Sequence, residues 1–263
     1  MGKKASVISV ILPGLMIVAL ILDSKTALQG TAEGLELCIR TVIPSLFPFF
    51  FCSVVLTSGI AGKRVKFLSP LNIVCGIPIG AESLFLLGLV GGYPVGAQAV
   101  TQAWEEGHLQ TADAKRLLGF CSNCGPSFLF GITSVLFTSS AVPWILWGIH
   151  ILSAVVTGIL IPGKAAKKNV AVKEDAKISI SDAIGKAVHI TANVCGWIML
   201  ARCMTVFLDK WLLRYFPLHI RLGVVGFLEL ANGCIGLKDL LSEPFRFVMT
   251  AGFLGFGGLC VGR

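Results

Sequence analysis

The amino-acid sequence predicts an all-α polytopic membrane protein, an inverted repeat with broken, re-entrant helices, and three observations carry that expectation. The first is composition: 55% of residues are hydrophobic, 14% are charged and mean hydropathy is +0.83, against about 25% charged residues in soluble domains. The second is length. The 263 residues leave room for about six or seven apolar segments of the roughly 20 residues that a spanning helix needs, with shorter ones between. The third is that several apolar stretches carry glycine and proline in their interiors, at corresponding places in two halves of the chain.

The stretch at 84–97, LFLLGLVGGYPVGA, shows what such an interruption means. Gly91 and Gly92 lower helix propensity, and Pro94 removes a backbone donor and clashes with the carbonyl four residues back. An unpaired peptide group in lipid costs several kcal/mol, so a break at membrane depth persists only where protein or a water-filled cavity satisfies it. The segment reads either as cavity lining or as a proline kink packed between helices, and its recurrence favours the cavity.

In chain order, residues 1–30 read as an N-terminal transmembrane helix. Lys3 and Lys4 precede an apolar run at 7–22, and no small-residue cleavage site follows before Gln29, so a retained span entering from the cytoplasm is expected rather than a signal peptide. The opening MGKKAS fits a myristoylation pattern, but a lipid anchor is redundant beside a span. Asp23, Lys25, Glu33 and Glu36 place residues 23–37 outside the bilayer. The next span covers 38–60, holds Pro44 and Pro48 on one face, and ends at the basic loop 62–66, which belongs on the cytoplasmic side. Residues 71–101, crowded with Pro78, Gly80, Gly88, Gly91, Gly92, Pro94 and Gly96, read as a re-entrant hairpin that begins and ends on that side.

A polar connection at 102–116 follows, with a helix start at Thr111 and Asp113 in its first turn. The apolar segment 117–137 is interrupted by Ser122-Asn123-Cys124-Gly125-Pro126-Ser127, whose polar groups either line the cavity or join helices by hydrogen bonds. A clean span at 142–161 closes a first repeat assigned to 34–162. The lysine-rich linker at 163–180 is cytoplasmic and divides the halves. The second repeat, 181–263, opens with a span at 184–208, passes through LGVVGFLELANGCIGL at 222–237 and reaches a glycine-rich apolar stretch at 245–261.

The halves share letters as well as layout. Leu87-Gly88-Leu89-Val90-Gly91 and Leu222-Gly223-Val224-Val225-Gly226 match at an offset of 135 residues (88 against 223), which sets Glu229 opposite Pro94 and Asn232 opposite Ala97. About thirty residues beyond each, a glycine-centred break recurs, at 123–127 and at 255–258. The leading span runs outside to inside in the first half and inside to outside in the second, the signature of inverted-repeat transporters, whose substrate site lies where the breaks meet.

Arg202 in WIMLARCMTVFL and Glu229 in GFLELANG are flanked by apolar residues, and an ionisable group at the bilayer centre costs at least about 2.5 kcal/mol, so each faces a cavity or a partner. Arg202 is expected to offer charge to an anionic substrate and Glu229 to orient it or carry a coupling proton; the alternative is a structural ion pair between the two. The candidate substrate-binding set is Gly91, Gly92, Tyr93, Pro94, Asn123, Gly125, Pro126, Ser127, Arg202, Glu229 and Asn232.

Other chemistries find little support. The net charge of +8 sits in short loops, with no basic face interleaved with aromatics, so the expected partners are a small-molecule solute and the lipid bilayer, not nucleic acid. Nine cysteines, an odd number spread through apolar segments, read as packing residues. Cys121 and Cys124 spell CxxC, but a zinc site needs four ligands and no second CxxC exists, so no metal and no cofactor is expected. His108, Glu105 and Glu106 share no spacing with a nucleophile or orienting group, and no Walker or Rossmann glycine loop follows a strand, so the chain is expected not to be an enzyme.

The motifs together resemble a family. Gly91-Gly92-Tyr93-Pro94-Val95-Gly96-Ala97, Asn123-Cys124-Gly125-Pro126-Ser127-Phe128, Gly226-Phe227-Leu228-Glu229-Leu230-Ala231-Asn232-Gly233 and Gly255-Phe256-Gly257-Gly258, with Pro44-Ser45-Leu46-Phe47-Pro48-Phe49, are similar to the YlbJ-type sporulation integral membrane proteins of the nucleoside-recognition (Gate) domain group. The resemblance covers about residues 34–263, which makes the two halves Gate-like repeats. It implies a multi-pass protein of the bacterial inner membrane, of the cell or the forespore, tied to endospore formation and moving or gating a small polar or anionic solute. A dipicolinate-like dicarboxylate suits Arg202, a nucleoside suits the group name, and a non-transporting assembly protein of the spore envelope is the competing reading. In the family the last glycine motif continues into further membrane helix, whereas this chain ends at Gly262 and Arg263, which implies a second repeat cut short at its C-terminus.

Overall fold

The computed structural model describes residues 7–60, 65–93, 95–161, 178–238 and 242–257. Pro94, most of the basic loop at 62–66, the lysine-rich stretch at 163–177 and the last glycines from 258 onward lie outside the described residues. Among the described residues every regular element is helical. Three stretches, Ser24–Leu56, Ala141–Leu160 and Ile180–Trp211, are long and apolar enough to cross a membrane. The all-α membrane class read from composition is what the structure shows.

The chain opens with α1 (Val7–Leu22), an apolar helix that presents much of its surface outward. Asp23 then caps α2 (Ser24–Leu37), accepting from the Thr26 backbone N–H at 3.3 Å and from its hydroxyl at 2.9 Å. The sequence reading sets residues 23–37 outside the bilayer and assigns them no element. They form a helix that runs through one π-helical turn (Cys38–Val42) into α3 (Ile43–Ile60). Three of the charges in this stretch are paired: Glu33 with Arg202, Glu36 with Arg40, and Asp23 with Lys210. Hydrogen bonding from Lys210 and then Thr26 holds the Asp23 carboxyl below its usual range.

After the short α4 (Ser69–Val74) comes a buried non-helical segment at 75–81, then α5 (Glu82–Gly91) and α6 (Val95–Glu105). Helix α6 extends into the stretch read as a polar connection, and α7 (Thr111–Cys121) begins where the capping pattern put it. Residues 122–125 interrupt the chain before α8 (Pro126–Leu136), which starts on its proline, the position where a missing N–H is harmless. Helix α9 (Ala141–Leu160) completes the first half.

The second half opens with α10 (Ile180–Trp211), capped by Ser179, whose hydroxyl oxygen accepts from the Asp182 N–H at 3.1 Å. Helix α10 packs along α2 and α3. A Cβ placed on Gly30 or Gly34 of α2 would lie 3.0 Å from the Cα of Cys203 or 2.9 Å from that of Met199, so the two backbones approach as closely as small residues allow. Helix α11 (Leu218–Leu228) stops at Glu229, α12 (Leu230–Gly236) follows at once, and α13 (Glu243–Phe256) ends at Gly257, in the left-handed region at φ +78°.

The two halves repeat one packing device. Gly88 of α5 and Gly96 of α6 cross against the carbonyl of Cys121 at the end of α7, and a Cβ on either would collide with it. Gly226 of α11 and Gly233 of α12 cross in the same way, with Phe253 of α13 covering Gly226. Cys121 and Phe256, the last residues of α7 and α13, stand 135 residues apart, the offset read from the sequence. The larger buried core joins the halves through Val95, Cys124, Leu129, Leu230, Cys234 and Phe253. A second core, with Ile77, Phe85, Leu117 and Phe120, lies among α4 to α7.

Substitution Gly96→Val should therefore destabilise the fold by about 3 kcal/mol or more, while Gly185→Ala, whose Cβ meets nothing within 4 Å, should stabilise it by up to about 1 kcal/mol. Thermal unfolding of the detergent-solubilised protein, followed by tryptophan fluorescence, reads both signs.

Candidate solute site at the helix breaks

Each interruption frees peptide groups, and the site is built by the side chains that satisfy them. In the first half, Gly92 adopts φ +67°, open only to glycine without strain, and its Cα packs on the backbone of Gly125. The break that begins at Gly92 and the one at 122–125 thus touch each other. Asn123, buried, donates from Nδ2 to the Phe120 carbonyl at 2.8 Å and so closes the open end of α7. His150, from α9, accepts the Cys124 N–H on Nε2 at 2.8 Å. Pro126 and Ser127, half-buried, form the first turn of α8.

In the second half, Glu229 is both the end of α11 and the cap of α12. Its carboxylate, 4% exposed, accepts from the N–H of Ala231 at 2.9 Å and of Asn232 at 2.6 Å. A negative side chain at a helix N-terminus is favoured by the helix dipole as well as by those bonds. The Asn232 side-chain nitrogen lies beside the same carboxylate, buried, without completing a hydrogen bond to it.

The halves meet at Tyr93. Its hydroxyl donates to the Leu254 carbonyl at 3.2 Å, and a Cβ on Gly257 would lie 2.9 Å from the same oxygen. Cys124 of the first half and Glu229 both lie within electrostatic range of Cys234 on α12. Gly92 and Gly125 are in contact, Tyr93 meets the end of α13, and Cys124, Leu230 and Cys234, which lie close to Asn123, Glu229 and Asn232 in the chain, share one core; Pro94 lies outside the described residues.

Arg202 stands apart in its bonding. Its Nε and Nη2 donate to Glu33 Oε2 at 3.0 and 2.6 Å, so its ion-pair partner is on α2 and not Glu229, although it remains within Coulombic range of Glu229. With side chains 32% and 36% exposed, this pair clamps α10 to α2 and leaves the guanidinium fork occupied.

Sequence reasoning passed over three groups that the structure shows in similar roles. Glu82, fully buried, accepts from Asn72 Nδ2 at 2.5 Å and from the Gly80 N–H at 2.6 Å. Arg116 donates from Nη1 to the Gly76 carbonyl at 2.8 Å. His150, inside an apolar span, serves Cys124. A signal existed for Glu82, a lone acid entering the apolar run ESLFLL, and for His150 in LWGIHIL; Arg116 was masked by its place at the edge of a polar stretch.

The architecture is that of an all-α membrane protein whose broken helices meet around a buried, backbone-capping carboxylate. No family model matches the chain, and no solved structure matches it. It is similar to the sporulation integral membrane protein YlbJ of Bacillus subtilis (strain 168), with 26% identity over 138 residues that cover 51% of this chain and 34% of that protein. The chain thus spans about a third of the length of the curated relative it matches.

If Arg202 serves chiefly as the clamp to Glu33, a double-mutant cycle of Arg202→Gln and Glu33→Gln should give a coupling of about 1 kcal/mol, the modest size expected of a half-exposed pair. Thermal unfolding of the four proteins measures it, and the same cycle on Arg202 and Glu229 should give less.

Proposed function

We propose that this chain is part of a membrane transporter that moves a small polar or anionic solute past the meeting point of its helix breaks. One observation carries the reading: Glu229, an acid buried at 4% exposure at a helix break, caps α12 with its carboxylate beside the unpartnered side-chain nitrogen of Asn232. Discontinuous helices with N-termini directed at a polar site are how transporters recognise solutes without dehydrating them into lipid. The similarity to a sporulation integral membrane protein supports placing it in a spore-forming cell, in the inner or forespore membrane. The reading assigns the chain no bond-making chemistry, no metal and no cofactor.

The solute class follows from what the site offers. Asn232 offers an unpartnered side-chain nitrogen as donor, Glu229 and the Tyr93 hydroxyl oxygen offer acceptors, and Arg202 adds positive potential from a distance, a balance suited to a polar solute that also carries a negative group. A dipicolinate-like dicarboxylate and a nucleoside are the two test compounds that separate an anionic from a neutral solute.

Proteoliposomes carrying the protein should take up one of these solutes in a saturable manner. Asn232→Ala and Glu229→Gln should each lower uptake about tenfold at equal protein level, the loss of about one charge-assisted hydrogen bond. Uptake equal to that of empty vesicles for both solutes would instead favour an assembly role.

A further inference from the structure

A second polar site lies in the core among α4 to α7. Arg116 is 8% exposed, and only one of its guanidinium nitrogens is engaged, Nη1 with the Gly76 carbonyl at 2.8 Å. Its Nε and Nη2 are buried and have no hydrogen-bond partner among the described residues. The guanidinium lies over the Phe120 ring at 6.0 Å, so one face is covered by an aromatic while the Nε–Nη2 edge is left free.

Among the described residues no carboxylate lies within ion-pair distance of Arg116. Glu82, the fully buried acid of the same core, is already held by Asn72 at 2.5 Å and by the Gly80 N–H at 2.6 Å. Asp113, one turn earlier on α7, is buried at 8% exposure and makes no ion pair with Arg116. A buried cation with no paired anion is costly, and a guanidinium edge of two parallel N–H groups matches the two oxygens of a carboxylate.

We infer that the Nε–Nη2 edge of Arg116 is a binding site for the carboxylate of a small monoanionic solute. The two oxygens of a carboxylate match the two free N–H groups of the edge while adding a single charge; a phosphate dianion adds two to a core that already holds Glu82 and Asp113, and like charges at short range in a low-dielectric interior repel strongly. Both free nitrogens are shielded, so an anion reaches them when the 75–81 segment moves aside. That segment carries two residues at positive φ, Gly76 at +57° and Gly80 at +94°, one on each side of Pro78, and its Gly76 carbonyl is bonded to Arg116 itself. Occupancy of the arginine and the position of the segment are thereby coupled. This site does not depend on the transport reading, since neither Glu229 nor Asn232 belongs to it.

The test is equilibrium binding of benzoate to the full chain in nanodiscs, by calorimetry, with benzamide and inorganic phosphate as comparison ligands. Saturable benzoate binding is expected. Arg116→Lys, which keeps the charge and loses the fork, should weaken it on the order of tenfold. Glu82→Gln should strengthen it by removing a neighbouring negative charge, and Glu229→Gln should leave it unchanged even as it lowers uptake. Arg116→Gln is added to remove the charge, and if that variant does not fold, Arg116→Lys decides. Benzoate binding unaffected by Arg116→Lys, binding equalled by benzamide, phosphate binding in place of benzoate, or no saturable binding would each overturn the assignment.

Discussion

A peptide group that leaves a helix inside an apolar surrounding has no water to turn to, and the architecture of this chain follows from how each such group is met. Glu229 takes the N–H groups of Ala231 and Asn232, Glu82 takes that of Gly80, His150 takes that of Cys124, Asn123 answers the Phe120 carbonyl, Tyr93 the Leu254 carbonyl and Arg116 the Gly76 carbonyl. Left unpaired, each group costs several kcal/mol. The buried carboxylates and amides of Glu82, Asn123, Glu229 and Asn232 therefore stand at or beside helix ends, where the chain breaks.

This arrangement explains why so much of the polar chemistry lies in few places. The α2 and α10 pair carries its charges as interhelical ion pairs, Glu33 with Arg202 and Asp23 with Lys210, and closes its backbone distance with Gly30 and Gly34. The glycine crossings at Gly88 and Gly96 and at Gly226 and Gly233 bring the broken segments together. Rigid scaffold and polar meeting point are thus made by different residues.

Much of this was legible in the letters. The break at 122–125 was visible because Gly125 and Pro126 sit in the middle of an apolar run, and the start of α7 because Thr111 and Asp113 follow a capping pattern. The matching interruptions were visible as a repeat at 135 residues, which the ends of α7 and α13 share. What could not be read was pairing across the chain. The charges at 23–37 show as unpaired until Arg202 and Lys210, far along the sequence, are known to neutralise Glu33 and Asp23. For the same reason Arg202 looked free and Arg116 looked solvated, when the first is bound and the second buried with an open edge. Local pattern gives the helix and its ends; the state of a charge depends on a partner that the pattern does not contain.

The claim on which the account rests is that the broken segments of the two halves share one place, with Tyr93 against the end of α13. It is tested by replacing the native cysteines, introducing Tyr93→Cys and Gly257→Cys, inserting a protease site in 163–177, and treating membranes with a short bifunctional maleimide before cleavage. The account predicts that the two halves then migrate together on a denaturing gel, and that either single-cysteine protein separates. Separation of the halves in the double variant, with both thiols still labelled by a monofunctional maleimide, would contradict it.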